Sequence, residues 1–140
     1  MTAKEYLCNV QDKDKEITAQ EEYIDALRSV LDSISVNMNG ERVQSTSDPD
    51  KFGKIFAQID EEETKLKQMK EDFLIYKLGV ITAIKQVQTD KHRTLLYERY
   101  INYKSFKVIS VLMNYSYDYT LELHGNALKE FLDMNPLLSS

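Results

Sequence analysis

The chain has 140 residues, with 18 Lys and Arg against 23 Asp and Glu, a formal net charge of −5 and 42% hydrophobic residues. This length fits one ordinary domain, or a small domain with an extended helical element, and excludes two large enzyme domains. With only 4 Gly and 2 Pro, turn-forming residues are too few for a many-stranded sandwich or a Gly-rich nucleotide-binding fold. The composition therefore predicts a largely helical module, and the negative charge makes the whole chain a poor binder of polyanions.

The sequence predicts a soluble protein of the cytoplasm. Its single cysteine, Cys8, has no partner for an internal disulfide, which fits a reducing compartment. Lys4 and Glu5 stand where a signal peptide would carry its apolar core. The longest apolar stretch, residues 73–84, is interrupted by Lys77 and is too short to span a bilayer.

Residues 1–88 are predicted to form an antiparallel coiled-coil hairpin of two long helices. Thr2 and Glu5 match a capping box at the start of the first helix. A loop is expected at about residues 39–48, because Asn39-Gly40 and the segment ending in Asp48-Pro49 interrupt the apolar pattern. The first helix has apolar residues at heptad spacing at Val10, Ile17, Ile24, Leu31 and Met38, and the second at Phe52, Ile59, Leu66, Phe73, Val80 and Val87. Each helix alone leaves an apolar stripe to bury, so a homodimer or a partner helix is expected.

Residues 89–135 are predicted to form a compact unit of three shorter helices, followed by a tail at 136–140. Thr89-Asp90 offers a new helix start, Asn114-Tyr115 a turn, and Ser116 an N-cap for the third helix. The residues expected to face inward are Leu95, Leu96, Tyr100, Ile101, Phe106, Ile109, Leu112, Leu123, Ala127, Leu128 and Phe131. Two short helices, a tight turn and a longer third helix predict a helix-turn-helix.

Charge divides the chain. Residues 1–88 hold 12 Lys and Arg against 17 Asp and Glu, whereas residues 89–140 hold 6 of each kind. Within residues 91–107, five basic residues against Glu98 alone give a local charge of +4. The acidity therefore belongs to the hairpin, and a locally basic surface is left for the helix-turn-helix.

Four segments of the C-terminal unit resemble the region-4-like helix-turn-helix of sigma-70 factors: Arg93 to Ile101, Ser105 to Ser110, Tyr115-Ser116, and Leu123 to Leu128. With the opening Met1 to Leu7 and the segment Glu41 to Ser45, the whole chain resembles an uncharacterised family of phage and prophage proteins of Gram-positive bacteria. These are taken to be regulators akin to the ArpU-type late transcriptional regulators. The resemblance implies a bacterial host cytoplasm and a transcriptional regulator that binds double-stranded DNA, RNA polymerase or both.

The predicted DNA contacts follow from the exposed faces of this unit. Phosphate contacts are expected from Lys91, Arg93, Lys104 and Lys107. Contacts of the recognition helix are expected from Ser116, Tyr117, Tyr119 and Asn126. Asp118 and Glu122 share that outward face, and carboxylates there repel the DNA backbone. The same Lys and Arg residues also fit an ordinary solvated face.

Two other functions remain open from the sequence. One is a non-enzymatic coiled-coil interaction module whose degenerate helix-turn-helix contacts protein through an acidic third helix bearing Leu121. The other, more distant, is a small terminase-like packaging protein. No catalytic residue, metal ligand or cofactor is predicted. His92 and His124 have no second ligand at metal spacing, the run Asp60 to Glu63 points around a helix, and no Gly-rich phosphate loop is present. His124 is expected to pack beside the core of the helix-turn-helix.

Overall fold

The computed structural model describes the backbone of residues 1–40 and 50–139 and the side chains of residues 1–34 and 50–139. In this part of the chain there are five helices and no β-strand. The helices are α1 (Ala3–Gly40), α2 (Asp50–Lys85), α3 (Asp90–Tyr100), α4 (Phe106–Met113) and α5 (Tyr117–Met134). The predicted all-α class, with two long helices followed by three shorter ones, is confirmed.

The start of α1 agrees with its sequence signal. Thr2 Oγ1 accepts a hydrogen bond from the backbone N–H of Glu5 at 3.1 Å, and Glu5 Oε2 accepts one from Thr2 N at 3.1 Å. This reciprocal pair is the predicted capping box at the start of α1. At the other end α1 continues through Gly40, so the predicted loop at 39–48 lies mostly outside the described residues.

The described residues divide into two compact units, and the first of these is the segment Lys15–Asp72. Within it, Gln20 Nε2 donates to Glu62 Oε2 at 2.6 Å, and Gln58 Nε2 donates to Tyr23 Oη at 2.8 Å. Residue numbers rise along α1 as they fall along α2, so this part of the hairpin is antiparallel. Three residues of the predicted heptad stripes are buried in it, namely Ile17, Ile24 and Ile59.

The second unit joins residues 1–14 to the chain from Phe73 onward. The first two turns of α1 and the last turns of α2 therefore share one core with the three-helix unit. The buried residues of this core include Leu7, Val10, Val80, Ile84, Val87, Leu95, Leu96, Tyr100, Ile101, Ile109, Leu123, Ala127 and Phe131. The predicted division at residue 88 falls inside this packing unit, because heptad spacing in the sequence continues without interruption from one unit into the other.

The chain end predicted as a tail pairs with the N-terminal segment. Ser139 N donates to Met1 O at 2.9 Å, and Ala3 N donates to Ser139 O at 3.2 Å, which forms a short parallel bridge. Leu138 packs against the core. These contacts satisfy backbone groups at both ends of the second unit.

One predicted core residue is wrong. Leu112 is 58% exposed, and Ser110 is buried in α4 instead, with its Oγ donating to Lys107 O at 2.7 Å. Phe106 and Leu128 are partly buried and pack against the core. Among the described residues, no helix combines the length and apolarity that crossing a bilayer requires.

Candidate nucleic-acid interface

The turn between α4 and α5 has the geometry of a helix-turn-helix. Asn114 adopts the left-handed conformation with φ 60°, and Tyr115 N donates to Ser110 O at 2.9 Å, which closes α4 with a Schellman-type hydrogen bond. Ser116 follows in an extended conformation, and its Oγ accepts from Tyr119 N at 3.1 Å to cap α5. Three residues thus reverse the chain between two capped helices, as the sequence predicted.

The connection before α4 is built in the same way. Tyr103 is the second non-glycine residue with positive φ in the described chain, at 59°, and Lys104 N donates to Glu98 O at 3.0 Å. The phenol of Tyr103 donates to Asp14 Oδ2 of α1 at 2.8 Å. Ser105 Oγ then accepts from Val108 N at 3.2 Å and caps α4. The N-termini of α4 and α5 are therefore both capped by serine hydroxyl groups.

His124 anchors α5 from its inner side. Its Nε2 lies 2.6 Å from Tyr100 Oη, and its ring meets Phe106 edge-on at 4.7 Å between centroids. Burial, together with the positive charges of Lys4 and Arg99, lowers the pKa of His124 from 6.5 to about 4. The imidazole is therefore neutral at pH 7 and shares a hydrogen bond with the phenol of Tyr100, so His124 packs at the core as expected from the sequence.

Glu130 connects the far end of α5 to the start of α3. Its Oε1 accepts from Thr89 Oγ1 at 2.9 Å and from Thr89 N at 3.1 Å, and its Oε2 lies 3.1 Å from His92 Nδ1. Burial acts to raise the pKa of Glu130, but the hydrogen bonds from His92 and Thr89 outweigh it and hold the pKa below its usual value. No pattern in the sequence indicates these hydrogen bonds of Glu130, because its partners are about forty residues away along the chain.

The four predicted phosphate-contacting residues differ in their surroundings. Arg93 is engaged within the fold, because it donates to Val87 O at 2.5 Å and pairs with Asp90. Lys104 Nζ lies 2.5 Å from Glu98 Oε2, and this hydrogen bond holds the pKa of Glu98 below its usual value. Lys91 is exposed and donates to Tyr119 Oη at 3.0 Å. Lys107 is exposed in the first turn of α4.

The predicted recognition residues lie on α5 and its cap. Ser116 caps the helix, and Tyr117 is exposed beside it. Tyr119 is partly buried and packs edge-on against Tyr115, with 4.9 Å between ring centroids. Asn126 is exposed more than two turns further along. The structure thus gathers Lys91, Tyr115 and Tyr119 at the N-terminal end of α5, where a recognition helix enters the major groove.

Two further features of this surface bear on its chemistry. Asp118 and Glu122 are exposed on α5 together with Leu121, as the sequence predicted. Sequence reasoning missed the outer face of α4, where Val108 is 47% and Val111 79% exposed alongside Leu112. Residues 108, 111, 112 and 115 follow the same helical spacing as the buried or partly buried set 106, 109, 110 and 113, so spacing alone did not show which set would be exposed.

No group of three or more His, Cys, Asp or Glu residues suited to a metal ion occurs in the described part of the chain. In comparisons with protein-family models, curated proteins and solved structures, none matches this chain.

Proposed function

We propose that this protein is a phage-type or prophage-type transcriptional regulator that binds double-stranded DNA, RNA polymerase or both through the helix-turn-helix of α4 and α5. The observation that carries the proposal is the capped two-helix unit with its left-handed residue at Asn114, packed on α3 through a continuous core. In helix-turn-helix proteins this arrangement presents the N-terminal turn of the second helix to the major groove of DNA, which supports the proposal. The resemblance of residues 93–128 to sigma region 4 supports the same function.

Charge favours contacts near the N-termini of α4 and α5. Lys107 is exposed one turn from the cap of α4, and Lys91 is exposed beside Tyr119. Backbone N–H groups of a first helical turn lack partners within the helix, so both N-termini also attract phosphate oxygens. Lys104 would exchange Glu98 for a phosphate on binding, whereas Arg93 is better assigned to holding the α2–α3 connection than to DNA.

Fluorescence anisotropy on labelled duplexes from the genomic neighbourhood of the protein tests this proposal. Each phosphate contact contributes about −0.9 to the slope of log binding constant against log salt concentration. If three or four phosphates are contacted, raising salt from about 50 to 200 mM should therefore weaken binding roughly 40- to 150-fold. Lys107→Ala should weaken binding to all sequences alike and make the salt dependence less steep, reducing the magnitude of the slope by about 0.9. Asn126→Ala should instead change the preference among sequences.

Lys65→Ala is the matched control, because it removes one exposed lysine from the unit Lys15–Asp72, whereas the helix-turn-helix belongs to the other unit. It should leave affinity and slope unchanged. Equal affinities for the parent protein, Lys107→Ala and Asn126→Ala would show that DNA does not use this surface. Absence of binding at low salt would contradict a DNA-reading role altogether.

A second function, a protein-interaction module, is favoured by the outer faces of the same two helices. Asp118 and Glu122 on α5 repel phosphates, and Val111 on α4 is the kind of exposed apolar residue that protein interfaces bury. Hydrogen exchange of the full chain with and without host RNA polymerase tests whether α4 and α5 contact that protein, and the anisotropy titration decides whether they also bind DNA, which the interaction module does not. Protection of α4 and α5 in the absence of DNA would support protein binding, and unchanged exchange there would count against it.

A further inference from the structure

The outer face of α2 near its C-terminal end carries large apolar side chains that the fold leaves uncovered. Leu74, Ile75 and Leu78 are 63%, 73% and 65% exposed. The opposite face of the same turns is fully buried, with Val80 and Ile84 in the core. This end of α2 is therefore apolar on two faces, although a surface helix needs only one apolar stripe to pack on its own domain.

The exposed residues belong to a pattern that is symmetrical about Leu78. At 100° per residue, seven positions between residues 71 and 85 lie within about 60° of the direction of Leu78. They form what we call the outer stripe: Glu71, Leu74, Ile75, Leu78, Ile81, Thr82 and Lys85. Each position before Leu78 has a counterpart at the same distance after it. The two ends of the stripe carry opposite charges, since Glu71 and Lys85 are both exposed and each stand seven residues from Leu78.

This symmetry matches a second copy of the same helix lying antiparallel. A two-fold axis through Leu78 places Leu78 against Leu78 of the other copy, and Ile75 against Ile81. Leu74 then meets Thr82, whose hydroxyl already donates to Leu78 O at 2.8 Å and so leaves only its methyl group to pack. The charged ends meet twice, each Glu71 facing Lys85 of the other copy.

We propose that two copies of this chain associate through the outer stripe of α2, in an antiparallel pair centred on Leu78. Charge complementarity selects a second copy as the occupant, because an unrelated partner helix gives no reason for opposite charges at equal distances from one centre. Three exposed apolar side chains cover less area than the ~800 Å² per partner of a standard interface. The dimer is therefore expected to depend on concentration, and the inference does not rest on DNA binding.

Sedimentation velocity of the full chain over a concentration series, at low salt, tests this pairing. The parent protein should shift from monomer to dimer as concentration rises. Glu71→Lys and Lys85→Glu should each stay monomeric at concentrations where the parent is dimeric, because each places like charges together at both ends of the stripe. An equimolar mixture of the two variants should recover the dimer, since both charge pairs are then opposite.

Glu61→Lys is the control for charge reversal, because it makes the same change at an exposed position of α2 that lies outside the stripe, ten residues before Glu71 and about 100° from the direction of Leu78. It should dimerise like the parent. Circular dichroism confirms that each variant retains its helix content. A monomeric parent at the highest concentration, single variants that dimerise like the parent, or a mixture that remains monomeric would each overturn the proposal.

Discussion

His124 makes the stability of this protein depend on pH in a way that can be calculated from its surroundings. Burial beside Tyr100 and Phe106 lowers its pKa from 6.5 to about 4 in the folded chain. Between these two values the unfolded chain binds more protons than the folded chain, so the free energy of unfolding falls as pH falls. The contribution of the neutral imidazole is complete above pH 6.5 and is lost as pH drops toward 4.

The size of this loss follows from the linkage relation. Taking 6.5 and about 4 as the two pKa values, lowering the pH from 7.5 to 5 removes roughly 2 kcal/mol of unfolding free energy. His124 is not completely buried, and solvent screening reduces the expected loss to about 1 to 2 kcal/mol. A loss of this size is a large fraction of the stability of a small domain.

Urea unfolding followed by circular dichroism at pH 7.5, 6 and 5 measures this effect. Other groups titrate over the same range, so the informative quantity is the difference between the parent protein and His124→Gln. The variant should be less stable at pH 7.5 but should lose about 1 to 2 kcal/mol less on acidification. Parallel stability curves for the two proteins would show that the imidazole is not held neutral by its packing.

Substitutions at three further positions test local features of the fold by the same urea titration. Asn114→Ala should lower the free energy of unfolding by about 1 kcal/mol, because alanine tolerates φ 60° poorly. Asn114→Gly should leave it nearly unchanged, and equal stability of the two variants would contradict this reasoning. Gly79→Ala should raise the free energy of unfolding by at most about 1 kcal/mol, since helix propensity rises and the new methyl group contacts only Tyr6 Oη at 3.6 Å. A loss of stability would show that the methyl group does not fit there. Phe131→Ala should lower the free energy of unfolding by about 3 to 5 kcal/mol, because the ring is fully buried between α5 and the start of α1. A decrease of less than about 1 kcal/mol would show that the ring is not part of the core.

The sequence predicted those parts of the fold that local rules determine. Heptad spacing identified Val10, Ile17 and Ile24 on α1 because a long amphipathic helix repeats its apolar face many times. The turn at Asn114 and the cap at Ser116 were predictable because few residues favour those backbone conformations. The three-helix arrangement followed once these boundaries were known.

Long-range contacts and short helices were not predictable by these rules. α4 has only eight residues and is apolar on both faces, so periodicity could not decide between Leu112 and Ser110 as the buried residue. The hydrogen bonds between Glu130 and Thr89 and between Ser139 and Met1 join residues far apart in sequence. Both contacts depend on tertiary packing, which the spacing of residue types along the chain does not indicate.

The packing boundary changes how the charge of this protein should be judged. The unit Lys15–Asp72 contains 8 Lys and Arg against 14 Asp and Glu, whereas the rest of the chain, which holds the helix-turn-helix, contains 10 against 9. The unit bearing the proposed interface is therefore close to neutral, and the acidity of the whole chain originates elsewhere. Because charges are screened beyond about 8 Å at physiological salt, the local +4 of residues 91–107 weighs more on phosphate binding than the net −5 of the chain. On the proposed interface, the acidic residues that oppose phosphate contacts are then Asp118 and Glu122 of α5 itself, and Lys107 is an exposed basic residue that favours such contacts.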